Sequence, residues 1–439
     1  MSNPHVTRAR SFAAALIALL ALAIFALPAT AGRSDGHGHG KQAAGHHGGW
    51  KAGKHGKSHH GDHARRRHAE HGHRHRGHRW RHHRGGHHRG KPITVMTRNL
   101  YLGGDIGRPL RATQGLPPEE QGPAFVEANT TLRAIVDQTN FPLRSKQLAR
   151  EIARHKPDFA GLQEVALWRR GPLDGSPATT VDYDFLQILL DDLAAIGQRY
   201  EIVHVQEESD VSGPALVEGS LQNIRLTMRD VLIKRANNGL KVLESGGAQY
   251  AARISLTVAG QPVAFIRGYN YADVRAGNKR FRVINTHLES ELSDIAYAQA
   301  AELLAGPAAV TDRSVILLCD CNTDPLDASV KPGETHAHRD PYLLITGQGG
   351  FTDAWLQWAP AEQGFTSGLS ELVNDTPEEA AARFDHRIDF VFGRRADGSP
   401  IPVDRAEVVG RDPDERTPET PIGRLWPSDH AGVVVRLRP

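Results

Sequence analysis

Polar residues of the kinds that hold hard cations and move protons recur along this chain, each where a short apolar run stops. In order they are Asn99 in TRNL, Glu164 in GLQEV and His287 in NTHLES. Asp320 and Asn322 follow in VILLCDCNTDP, then Asp389 in RIDFVF and Asp429 and His430 in WPSDHAGVVV. Carboxylates and carboxamides offer oxygen ligands to Mg2+ or Mn2+, and an imidazole beside a carboxylate can take a proton from water. Alone, each such residue is an ordinary turn former. Together they form the donor set that a hard cation and an activated water require.

These side chains can meet only if the runs before them are strands ending on one edge. Ile93 to Thr97 alternates into Asn99, and Asp158 to Leu162 leads to Glu164. Further strands are predicted at Glu201–Val205, Val231–Lys234, Ala251–Val258, Val263–Arg267, Phe281–Asn285, Val315–Leu318, Ile388–Phe392 and Gly432–Leu437. Helical spacing marks Arg144–His155, Phe185–Ile196 and Ser290–Leu304, the first stopped by Lys156-Pro157. Strands in two groups interleaved with helices predict an α/β protein, two packed mixed sheets with outer helices in a four-layer α/β/β/α sandwich. Two stretches, Tyr101–Asn140 and Gln206–Thr227, read as long loops near the active face that would set substrate choice.

The order of these fragments resembles the endonuclease/exonuclease/phosphatase superfamily from about Ile93 to Leu437, most specifically in Gln163–Glu164, Asp320–Asn322, Arg387–Asp389 and Ser428–His430. The NTHL segment, Asn285–Leu288, is similar to the phosphatase, sphingomyelinase and deadenylase branches, and NLYLGGDI looks like a secreted bacterial one. The resemblance implies a deoxyribonuclease I-like fold and a metal-dependent phosphoric ester hydrolase. It implies that Glu164 binds the cation, with Asp429 and Asn99 completing or flanking the shell. His430 would be the general base, oriented by Asp389. Asp320 and Asn322 would hold the attacking water and a phosphate oxygen. His287 would donate to a phosphate oxygen with Asp230 as its carboxylate partner, and Arg229 would contact phosphate. Asp353 in FTDAW reads as structural, and His336, His338 and His386 as loop or surface residues. Cys319 and Cys321, the only two cysteines, flank the DxN motif and are expected as buried thiols.

The front of the chain has another character. Arg8 and Arg10 precede an apolar stretch from Phe12 to Leu27 and then Ala29-Thr30-Ala31, the pattern of a secretory signal peptide cut after Ala31. At about 16 residues the stretch is short for a membrane span, so cleavage is expected over an uncleaved anchor, and no later run is long enough to cross. Residues 32–91 are a His/Gly/Arg-rich segment holding 17 of the chain's 25 histidines, with too few apolar side chains to build a core. It is expected to be a disordered spacer that could also capture transition metals or adhere to a polyanionic surface. From Arg33 to Lys91 the net charge is +12, from 15 basic and three acidic residues. Removing that and Arg8 and Arg10 from the chain's +3 leaves residues 92–439, the expected catalytic domain, near −11. An acidic domain disfavours a wide duplex-DNA surface.

Three functions follow. The first is an extracytoplasmic phosphoesterase acting on a lipid headgroup, nucleotide or sugar phosphate. The second is a secreted nuclease acting on extracellular nucleic acid. The third is a non-catalytic surface protein that binds metal or polyanions through its histidines.

Overall fold

The computed structural model describes residues 91–258 and 261–439, so the expected signal peptide and nearly all of the histidine-rich segment lie outside the described residues. The chain opens with β1 (Ile93–Asn99), α1 (Arg108–Thr113), α2 (Pro118–Gln138), α3 (Phe141–His155), β2 (Phe159–Gln163), β3 (Leu167–Gly171), β4 (Thr180–Asp184) and α4 (Phe185–Ala195). A strand-rich middle follows: β5 (Tyr200–Val217), β6 (Ser220–Arg235), β7 (Lys241–Gln249), β8 (Ile254–Val258), β9 (Gln261–Phe265), β10 (Gly268–Ala276) and β11 (Lys279–His287). The last part is α5 (Ser293–Ala305), β12 (Ser314–Asp320), α6 (Asp340–Thr346), β13 (Thr352–Asp353), α7 (Ala354–Trp358), α8 (Pro377–Arg383), β14 (Asp389–Arg394), β15 (Val403–Val409) and β16 (Gly432–Leu437).

One sheet runs β15-β16-β1-β2-β6-β3-β4, with β5 paired to β6, and the other runs β13-β14-β12-β11-β10-β7. Parallel pairs β1/β2 and β11/β12 make both sheets mixed. Strand alternation then assigns the layers. Ile93 and Val95 of β1, Phe159 of β2, Phe281 and Val283 of β11, and Ile316 and Leu318 of β12 share one core between the sheets. The opposite parity of the first sheet, including Met96, Ala160 and Leu162, packs on Phe141, Leu148 and Ile152 of α3 and Phe185 and Leu189 of α4. The outer face of the second sheet, with Leu317, Phe390 and Phe392, packs on Ala296, Ala300 and Leu303 of α5 and Ile345 of α6. This is the four-layer α/β/β/α sandwich. The close approach of the sheets is visible at Gly161, where a Cβ would stand 2.4 Å from Oδ1 of Asn285.

Three expectations change. Tyr101–Asn140 is mostly helical, carrying α1 and the 21-residue α2. Its Gly and Pro content reads as loop, yet Pro118 occupies the first helical turn, where its missing N–H is no loss. Gln206–Thr227 is the outer part of a hairpin, β5 and β6, closed by Glu218 and Gly219 at φ 51° and 77°. Positive φ at both turn residues matches the right-handed twist of the flanking strands. Finally, Cys319 and Cys321 are joined as a disulfide, not free thiols, with Cα atoms 5.1 Å apart. The pair straddles the end of β12, where the chain leaves the extended form that would hold such residues about 6.6 Å apart.

Candidate active site

The alternation that builds the inter-sheet core also aims the functional side chains. Asn99 continues the parity of Ile93 and Val95, His287 that of Phe281 and Val283, Asp320 that of Ile316 and Leu318, and Asp389 that of Val391. All four therefore point between the sheets, at their strands' open ends. Register aligns those ends: Asn99 with Gln163, His287 with Asp320, and Asp320 with Asp389.

Asp320 is the hub. Its Oδ2 accepts from Asn99 Nδ2 at 2.8 Å and lies 3.5 Å from His287 Nε2 and 3.8 Å from His430 Nδ1. His430 donates from Nδ1 to Asp389 Oδ2 at 2.9 Å. Asp389 is fixed in turn: its N–H and that of Ile388 both donate to Thr366 Oγ1 at 3.2 Å. The neighbouring Arg387 reaches Asp353 Oδ2 at 2.5 Å, so Asp353 anchors this corner as expected. Burial pushes Asp320 up to about 7, reinforced by the Asp389 charge. For His430 burial pulls the other way, but Asp389, Asp320 and Asp429 overcome it and raise the ring well above its usual value. Nδ1 of His430 is thus engaged by Asp389, with the surrounding carboxylates favouring its charged form and burial favouring the protonated form of Asp320.

Glu164 and Asp429 form the other wall. Glu164 sits just past β2 at φ 54°, a left-handed backbone that non-glycine residues seldom adopt, and its Oε2 accepts from Leu102 N–H at 2.8 Å. Asp429 is lifted to about 6 by burial; the His430 charge pulls it back and the Glu164 charge lifts it further. A buried Asp429 made costlier to ionise by the Glu164 charge beside it is donor chemistry that a divalent cation relieves. Asn99 is committed on both sides, Oδ1 accepting from Tyr101 N–H at 2.7 Å, so it fixes Asp320 and retains one oxygen lone pair toward the cation seat. Beneath both loops lies Arg144, fully buried, donating to the carbonyls of Thr139, Leu100, Pro427 and Tyr101 at 2.7–3.0 Å. It ties the turn after Asn99 to the residue before Ser428.

Two expected contacts differ. His287 makes no hydrogen bond to Asp230; Nδ1 lies 3.0 Å from Arg267 Nη1. Because guanidinium only donates, Nδ1 is the acceptor and the neutral ring carries its proton on Nε2, toward Asp320. Arg229 does not face the site. It shares the parity of Val231 and Ile233, which pack toward the helices, and bonds the carbonyls of Val165 and Ala166 and the carboxylate of Asp184. Asn322 Nδ2 donates to Leu288 O at 2.9 Å and its N–H to Asp320 Oδ1 at 3.3 Å, so it braces the hub from the adjoining loop. His336 and His386 pair with surface carboxylates, Asp294 and Asp385, as loop residues do.

Sequence reasoning missed Arg267, Thr366 and Glu208. Glu208 lies inside β5, where the pairing with β6 slips between Glu207 and Asp210. A bulge is invisible to a period-two reading, and it turns a polar side chain inward. Glu208, Asp230 and His287 place their ligand-type atoms within 4.8 Å of one another, as do Asp320, Asp389 and His430.

No family model and no curated protein matches this chain. Among solved structures it is similar to an endonuclease/exonuclease/phosphatase family protein from Bacteroides thetaiotaomicron, at TM-score 0.47 and 14% identity over 79% of this chain and 97% of that one. It is also similar to an endonuclease/exonuclease/phosphatase from Beutenbergia cavernae, at TM-score 0.45 and 20% identity over 79% and 71% of the two chains. A third likeness is to a mannosyl-6-phosphatase of Bacteroides thetaiotaomicron, at TM-score 0.42 and 16% identity over 79% and 99%.

Proposed function

We propose that this protein is a divalent-cation-dependent phosphoesterase of the endonuclease/exonuclease/phosphatase type. The observation that carries the reading is the Asn99–Asp320–His430–Asp389 network beside Glu164 and Asp429: a proton acceptor, an imidazolium and a cation seat around one point. Glu164 and Asp429 would hold Mg2+ or Mn2+, which when bound neutralises phosphate charge and acidifies water. Asp320 takes the attacking water's proton. His430, kept charged by Asp389, presents its Nε2–H to a phosphate oxygen, and that fixed donor counts for most in a site shielded from water. Asn99 and Asn322 hold Asp320 in place.

The leader motif supports action outside the cytoplasm. The acidic domain favours a small or lipid-borne phosphate ester over long nucleic acid. A nuclease is the second reading, favoured by the +12 segment, which could itself hold a polyanion. The deciding experiment assays the full chain with Mg2+ against DNA, sphingomyelin, inositol phosphates, nucleotides and a generic aryl diester. Hydrolysis of a small or lipid ester that is abolished by chelator is expected. Cleavage of DNA alone would transfer the assignment to nuclease, and activity undiminished by chelator would end the cation-dependent reading.

A further inference from the structure

Behind the Asp320 hub lies a second group of buried acids. Glu208 is 4% exposed and Asp230 fully buried; no side-chain N–H donor satisfies their four carboxylate oxygens, which face each other and, at Glu208, the Gly268 N–H. Buried carboxylates short of donors are costly, and proteins keep them where a proton, a cation or a metal completes them. Glu289, also buried, adds a third acid, while Arg267 is the one cation packed among them. One guanidinium faces three carboxyl groups, so the protein's own cations cannot balance them all when they are ionised. The fold brings these groups together, since the β5 bulge turns Glu208 inward from a stretch of β5 whose preceding residues are exposed or half-buried.

We propose that Glu208, Asp230 and His287 form a second divalent-cation site, separate from the Glu164–Asp429 seat. Their ligand atoms already lie within 4.8 Å of one another. A divalent charge cancels the local excess. Asn270, whose Nδ2 donates to the carbonyl of Asp230 at 2.9 Å, has a buried Oδ1 without a partner and stands beside the cluster as a further oxygen. The cation takes the Nδ1 lone pair of His287 that Arg267 now occupies. Arg267 has another seat ready: its Nε is 3.8 Å from Glu289 Oε2, and both atoms lack a partner at present. Two carboxylates and an imidazole suit Mn2+ or Zn2+ better than the all-oxygen preference of Mg2+. Through His287, whose Nε2 is 3.5 Å from Asp320, this cation would fix the back of the hub.

The test is equilibrium dialysis of the full chain against Mn2+, the cation that the histidine-rich segment holds most weakly. Comparison with variants cancels that segment's share. Glu208→Gln and Asp230→Asn should each lower bound Mn2+ by about one ion per chain, and Glu208→Gln combined with Glu164→Ala by about two. Anomalous diffraction from Mn2+-loaded crystals of the wild-type chain should show a peak among Glu208, Asp230 and His287, a readout that requires no variant to fold. Wild-type stoichiometry in both single variants, or a peak at Glu164 alone, overturns the site and leaves the two acids sharing a proton. Loss of one ion in Glu208→Gln with none lost in Glu164→Ala upholds this site and instead removes the primary seat, so the two readings fail separately.

Discussion

Two clusters of two acids and a histidine stand side by side on the loop edge of the sandwich, joined by the His287–Asp320 approach. In the Asp320–Asp389–His430 cluster the protein supplies most of the partners itself, an amide from Asn99, a ring N–H from His430 and Thr366 at the Asp389 backbone, and leaves Asp389 Oδ1 alone unanswered. In the Glu208–Asp230–His287 cluster no side-chain N–H donor answers the four carboxylate oxygens. A satisfied network is built to hold its geometry while a proton moves within it. An unsatisfied one signals that a partner comes from outside. Substitutions should therefore separate the two, the first through turnover and the second through cation and proton binding.

The largest effect is expected at the cation seat. Glu164→Ala should cut hydrolysis of the best ester by about 10³-fold or more with folding intact, and excess chelator should do the same to wild type. Circular dichroism confirms the fold; turnover that survives both treatments would detach Glu164 from catalysis. Next come His430→Ala and Asp389→Asn, each about 10²–10⁴-fold in kcat. They act through one imidazolium, so the double variant should lose little more than the worse single. If the losses multiply, Asp389 serves something other than His430. The pH profile sharpens the division of labour. Asp320, lifted to about 7, must be ionised to accept a proton, so kcat/KM should rise with pH up to roughly neutrality. A rate unchanged from pH 5 to pH 8 would move the base elsewhere.

The satisfied cluster was nearly all legible in sequence because period two and strand ends suffice to place it. Asn99, Asp320 and His287 share parity with the apolar residues before them, and Asp389 with Val391 after it, so reading the core reads the site. Glu208 was illegible because a bulge breaks the alternation, and Arg267 because an arginine closing the predicted strand Val263–Arg267 reads as an ordinary surface end, whereas β9 stops at Phe265 and Arg267 is carried into the buried acids. The helix α2 was hidden behind prolines that its first turns tolerate, and the Cys319–Cys321 bond behind a bend that no residue type announces. Arg144 reads in sequence as one more polar position on an amphipathic helix, yet it is fully buried and serves four carbonyls.

That residue gives the next effect in size. Arg144→Met keeps much of the volume but strips donors from four buried carbonyls, at a cost of about 3 kcal/mol or more. Urea denaturation measures it. An unchanged midpoint would mean the loops carrying Asn99 and Asp429 do not depend on this clamp, and the satisfied region would be less self-sufficient than its geometry implies.

The smallest effect belongs to the unanswered acids. Burial raises Glu208 to about 7, against the pull of Arg267, and pushes Asp230 up as well, with Glu208 adding to it. An acid raised on folding binds its proton more tightly in the native state. Without cation, that contribution is fully present below the unfolded value of about 4.3 and is lost as pH rises through the folded value. In chelator, then, the Glu208 contribution to wild-type stability should fall between about pH 4.5 and pH 7, by no more than about 1.4 kcal/mol per unit. Glu208→Gln should flatten that slope, because its amide has no proton to lose. Added Mn2+ should stabilise wild type more at pH 8 than at pH 5, since a cation competes with the proton for the same oxygens. Urea midpoints across this range decide the matter. A wild-type slope identical to that of Glu208→Gln would mean that neither proton nor cation answers Glu208, and the contrast between the clusters would lose its energetic basis.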